Sequence, residues 1–229
     1  MKKLASFLVS CAAALSFVAA APASATILTT SWQSGNFNLA TVDGSAQVNF
    51  AGFDSSLGTL VGVTIKFIVN ESLSDIIYNF NNYAVTVGNP NGVSATSTIT
   101  ATGPLGLTTV NQLTTSPLYA GVVGANTGAG YVPTTVSNTV SGIASPVNTI
   151  TGNPITLASY LGASNTVSIN VNGVGSQSGS LPPGVFNSYS GNSNGVVYLQ
   201  YIYDIPEPAS MALFAVGLLA LTQLRRRKS

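Results

Sequence analysis

The side chains able to do chemistry in this 229-residue chain are few, and the carboxylates come first. Asp43 and Asp54 stand eleven positions apart across one strand-like segment. Two such carboxyls, held a few ångströms apart, are the acid and base of glycoside cleavage. Their neighbours suggest another role: Asp43 precedes Gly44 and Asp54 precedes Ser55, settings in which Asp closes a turn onto its own backbone. Glu71 and Asp75 follow the end of an apolar alternating run and are expected to cap or solvate a loop. Lys66, on the more polar side of that run, reads as a charge that discourages edge pairing. A Ser/Lys dyad would need a serine three residues before Lys66, and Val63 is there instead.

Histidine is absent and Cys11 is the sole cysteine, so Ser-His and Cys-His nucleophiles are excluded, as are imidazole or thiolate metal sites in the exported part. Oxygen ligands for calcium are plentiful, but no Asp-x-Asp-x-Asp loop organises them. Trp32, Tyr189, Tyr198, Tyr201 and Tyr203 admit two readings: a sugar-stacking platform, or the half-buried face of a sheet. No cofactor is implied, and no catalytic residue is assigned.

The segments that carry these residues are of three kinds. Residues 1–25 open with Lys2 and Lys3, continue through an apolar run and close on Ala23-Ser24-Ala25, the layout of a secretory signal cut after Ala25 by signal peptidase. Within it "LVSC" resembles a lipoprotein box on Cys11, but the apolar run continues past it to the better-formed site at Ala23 and Ala25. With both ends removed, Lys66 is the one cation against Asp43, Asp54, Glu71, Asp75 and Asp204, a formal net of −4 where the whole chain has +1. That balance excludes a nucleic-acid footprint.

Residues 26–204 read as one extracytoplasmic β domain. Ala46–Phe53, Thr59–Asn70, Ile76–Gly88, Asn165–Gly175 and Gly195–Asp204 are β-branched or aromatic with a period of two. In the second, Val61, Val63, Ile65, Phe67 and Val69 share one face; in the last, Val197, Leu199, Tyr201 and Tyr203 do. The Thr/Ser/Gly/Asn-rich stretch 89–154 keeps apolar residues at strand spacing and is expected to form short exposed strands. Thr156–Gly162 is the one place for a helical turn. The expected fold is all-β, an antiparallel, jelly-roll-like sandwich, flanked by the signal helix and a C-terminal transmembrane helix.

The C-terminal segment 205–229 is the most distinctive. Pro206 and Pro208 frame Glu207 in extended backbone, because neither proline donates to a ladder. Residues 209–224 lack charge and span about 24 Å as a helix, slightly short of a ~30 Å hydrocarbon core. Arg225, Arg226, Arg227 and Lys228 then hold the end on the cytoplasmic side of the inner membrane. This arrangement resembles the PEP-CTERM sorting signal. The resemblance implies that an exosortase-type enzyme reads Pro206, Glu207 and Pro208, removes the tail, and leaves the domain at the cell surface or outside the cell after transient membrane anchoring. Phe50–Phe67, with Phe53, Asp54, Leu57, Gly58, Thr59 and Leu60, and the closing Gly195–Pro208 are similar to the choice-of-anchor E type of exported domain. That likeness implies surface placement and a β-fold, with no activity to carry over. The expected function is thus a non-catalytic structural or matrix protein associated with extracellular polysaccharide or biofilm. A carbohydrate- or calcium-dependent binding module is the alternative.

Overall fold

The computed structural model describes residues 26–88, 92–114, 119–177 and 181–205. The signal segment, the proline-framed motif, the apolar run 209–224 and the basic cluster lie outside them. Among the described residues no helix is long and apolar enough to cross a membrane.

Among the described residues twelve strands follow in order: β1 Thr26–Thr29, β2 Gln33–Leu39, β3 Gly44–Ala51, β4 Thr59–Asn79, β5 Val85–Val87, β6 Val93–Thr102, β7 Thr108–Thr114, β8 Gly121–Val123, β9 Thr134–Ala144, β10 Asn148–Thr151, β11 Ser164–Gln177 and β12 Val185–Ile205. Every named pairing is antiparallel. The larger sheet is built on β4 and β12, which pair from Val185↔Asn79 to Asp204↔Thr59. β1 and β2 share the far edge of β12, and β10 and β9 share the far edge of β4. The second sheet has the order β3-β11-β6-β7, and β5 pairs with β8 as a small ribbon. The expected antiparallel sandwich is therefore present, and the 89–154 stretch supplies β6 to β10.

The core lies where the two sheets face each other. Val63, Ile65, Phe67, Val69 and Leu73 of β4 meet Val197, Leu199 and Tyr201 of β12, and across the gap Ile99, Val167 and Ile169. A second cluster of Ile77, Val87, Val93, Val123 and Val185 binds the β5–β8 ribbon to the far ends of β4 and β12. One strand thus contributes to both cores, because its odd-numbered residues from Val63 to Asn79 are all buried.

Three expectations are corrected. Val61 does not share the face of Val63, and Leu60 is buried instead. The register shifts between Ile202 and Tyr203, so that Ile202 opposes Gly62 and Tyr203 opposes Leu60. The unmatched Val61 is a bulge that resets the period. Next, the expected strand Ile76–Gly88 is divided: its first residues belong to β4, its last to β5, and a turn separates them. Asn79, fully buried, holds that turn. Its Nδ2 donates to the carbonyls of Tyr83 (2.8 Å) and Gly124 (2.9 Å), its Oδ1 accepts from Asn81 N (3.0 Å), and its own N–H donates to Tyr131 Oη (2.6 Å). Such a set satisfies most of one amide and outcompetes ladder continuation. Finally, Lys66 is not near an edge, since β4 is paired on both sides. The expected helical turn is a 3₁₀ segment at Ala158–Tyr160.

Close approach is tested at Gly52, where a Cβ would lie 1.5 Å from the Gly162 carbonyl oxygen. Backbone cannot yield as a side chain does, so Gly52→Ala should lower stability by about 1–3 kcal/mol. Gly124→Ala, with open space around it, should change little. Urea midpoints of the two variants check the contrast.

Candidate functional site

Thr26 opposes Ile205 in the β1–β12 ladder. The first residue after the expected signal cut and the last residue before Pro206 are thus cross-strand neighbours at one pole. Thr30 and the β12 backbone reinforce the pole: Tyr201 N donates to Thr30 Oγ1 (3.1 Å), Thr30 N to Tyr201 O (3.0 Å), and Gln200 Nε2 to Thr30 O (2.7 Å). The residues singled out for sorting and cleavage, namely Ala23, Ala25, Pro206, Glu207, Pro208, Arg225, Arg226, Arg227 and Lys228, lie outside the described residues. The described residues supply the β pairing that leads into both junctions.

The carboxylates are dispersed. Asp54 caps the 3₁₀ turn Ser55–Leu57, accepting from Ser56 N at 2.9 Å, and this bond holds its carboxyl below the usual range. Asp43 accepts from Gly173 N and Tyr189 Oη, both at 2.9 Å, beside a shallow pocket of about 200 Å³. Phe53, next to Asp54, packs on Tyr203, whereas Asp43 meets Tyr189. Fourteen residues of β12 separate those two tyrosines, on the order of 45 Å of strand. No acid/base pair of glycosidase spacing forms from them.

Glu71 and Asp75 are corrected more sharply. They do not cap a loop; they sit within β4, side chains inward, 3% and 0% exposed. Glu71 Oε1 accepts from the hydroxyls of Ser97 on β6 and Ser193 on β12. It forms part of a cleft of about 100 Å³ lined also by Asn111, Leu113, Val140 and Ile143, where β7 and β9 approach. Asp75 Oδ1 accepts from Asn187 Nδ2 at 3.5 Å, and its Oδ2 has no partner among the described residues. Burial raises both carboxyls above their ordinary values, against the opposing pull of those hydrogen bonds. No group of three His, Cys, Asp or Glu converges as a metal site among the described residues.

The aromatic residues divide too. Tyr201 is core: its hydroxyl donates to Ala51 O (2.6 Å) and accepts from Asn165 Nδ2 (2.7 Å), and burial raises its pKa. Tyr203 packs beside Phe53, at 5.6 Å between ring centroids. Tyr198 and Trp32 meet edge to face on the opposite side of the sheet, with Lys66 Nζ 4.5 Å from the Trp32 ring centroid and 5.4 Å from that of Tyr198. Lys66 is therefore a cation held over two rings. The five residues do not make one platform. Sequence reading missed a different group, Tyr78, Phe80 and Phe186, because Tyr78 and Phe80 were read as part of one continuous strand through Gly88. The i, i+2 spacing of Tyr78 and Phe80 was the available signal.

A pH dependence follows from the raised carboxyls. A group that binds its proton more tightly when folded stabilises the fold below its unfolded pKa, near 4.5 for Glu71 and 3.8 for Asp75, and loses that contribution as pH rises through the higher folded value. The melting temperature should rise as pH falls from 7 to about 4.5. Glu71→Gln should flatten this slope, with Ser97 and Ser193 still able to donate. Asp54 has the opposite sign, but its loss falls below pH 3.8 and does not enter that window.

No curated protein matches the sequence. Among solved structures, the chain is similar to the "STIV MCP" (13% identity, 77% of this chain and 49% of that one, TM-score 0.21). It is also similar to the "infectious bursal disease virus VP2 subviral particle" (15%, 76% and 38%, TM-score 0.24) and to "Trichodysplasia spinulosa-associated polyomavirus (TSPyV) VP1" (7%, 79% and 98%, TM-score 0.24). The chain spans half or less of the first two. The family comparison bears on the pole where β12 ends: residues 204–228 match the PEP-CTERM protein-sorting motif, so the chain carries a motif that begins within the last two residues of β12.

Proposed function

We propose that this protein is an exported, non-catalytic domain which an exosortase-type enzyme separates from its tail at Pro206, Glu207 and Pro208. The tail holds it in the inner membrane until then, and it ends at the cell surface or in the extracellular matrix. The observation that carries this reading is the sorting motif beginning where β12 finishes, beside Thr26 across the ladder. Removal of residues after Pro208 leaves every described strand intact. Removal of residues before Thr26 does the same. Both junctions lie at one pole, so a domain tethered there presents its remaining length away from the membrane. The likeness of Phe50–Phe67 to choice-of-anchor E domains supports surface placement. Dispersal of the carboxylates supports a structural role in association with extracellular polysaccharide over a hydrolytic one.

The reading is tested by intact mass and cell fractionation in a host that carries the processing enzyme. The expected product starts at Thr26, ends near Pro208 and leaves the membrane fraction. Exchange of Pro206 and Glu207 for Ala should keep the tail, raise the mass accordingly and retain the protein with membranes. A chain soluble in the cytoplasm with its leader intact would overturn the proposal.

A further inference from the structure

At the pole opposite Ile205, three aromatic rings lie together on the outer face of the larger sheet. Phe186 opposes Tyr78 across the β12–β4 ladder, and Phe80 follows Tyr78 by two residues. The Tyr78 and Phe80 rings are nearly parallel (16°, 6.2 Å between centroids), and Phe186 stands edge to face on Phe80 at 5.6 Å. Phe80 is 62% exposed and Phe186 59%. Such exposure keeps apolar area in water that burial would remove. The Asn79 hydrogen bonds fix the backbone turn behind Phe80, and Phe80 N itself donates to Gly184 O (2.8 Å).

Beyond the intervening row of Ile76, a ladder of small polar side chains runs along the same face. Ser74 is flanked by Ser137 of β9 and Ser190 of β12, and in the next row Ser72 by Thr139 and Asn192. Ser74 and Ser137 share a hydrogen bond of 2.8 Å, and Thr139 donates to Ser72 at 3.2 Å. A hydroxyl has one donor and two acceptor sites, so each retains capacity for a further partner. The ladder carries no charge: the acids of this stretch of β4, Glu71 and Asp75, point into the core. From Asn70 to Phe80 the face extends about 34 Å.

Exposed ring faces match the C–H faces of sugars, and adjoining uncharged hydroxyls and amides match their hydroxyls. A charged polymer would find no counter-ion along this ladder. We infer that the outer face of β9, β4 and β12 binds a linear, uncharged polysaccharide, with sugar rings stacked on Tyr78, Phe80 and Phe186 and their hydroxyls bonded along the Ser72–Ser74 ladder.

Affinity electrophoresis of the exported protein through gels cast with dextran, hydroxyethyl cellulose or galactomannan, with polyanionic alginate alongside, tests this. At least one neutral polymer should retard the protein and alginate should not. Phe80→Ala and Phe186→Ala should each weaken retardation roughly three- to ten-fold, with melting curves unchanged because both rings are exposed. No retardation by any neutral polymer, retardation by alginate alone, or insensitivity to both substitutions would overturn the inference. So would a dimer seen by light scattering that Phe80→Ala abolishes, since the rings would then face a second copy. None of these readouts depends on how the tail is processed.

Discussion

The antiparallel pairing of β4 with β12 is the constraint on which the rest of the molecule depends. Each is 21 residues long, and each is bordered by other strands on its far side. Their inward faces supply the buried spine of both apolar clusters, and the second sheet closes over them. A pairing this long is specified by burial: a slip of β4 by one residue would turn Phe67 and Leu73 outward while Val197 and Leu199 of β12 stayed in the core. The bulge at Val61 is tolerated because it lies near one end, where it exchanges Val61 for Leu60 in the core.

Scarcity of charge shapes the electrostatics. Of the six charged side chains among the described residues, two lie in the interior on serine hydroxyls or an asparagine amide, one caps a turn and one cation rests on aromatic rings. Serine hydroxyls offset only part of the cost of desolvating Glu71. A buried acid without a counter-charge holds its proton more tightly than one in water, so this site contributes less to the fold as pH rises.

Much of the architecture was legible as period-two patterning, because half-buried sheets write their burial into alternate residues. Val197, Leu199, Tyr201 and Tyr203 on one side of β12, and Val63 to Val69 on one side of β4, are in the structure as read. The readings that failed share a cause. Glu71 and Asp75 look like the end of a strand, since polar residues on an inward face are indistinguishable from a loop until Ser97, Ser193 and Asn187 are brought against them from 26 or more residues away. Lys66 was read as an edge charge because strand order is a long-range property that no local pattern encodes. The sorting motif was legible in full, being a local sequence of prolines, apolar residues and arginines that needs no fold to be recognised.

The polarity of β12 has a mechanical consequence. Its last residue leads into the tail, while Tyr78 and Phe80 at the end of β4 carry aromatic rings at the far pole. A pull between the end of β4 and the end of β12 runs along both strands, at right angles to the hydrogen bonds that join them, and so shears the whole ladder at once instead of opening it one rung at a time. Resistance to tension is thereby spread over the longest pairing among the described strands, as in a lap joint loaded in shear.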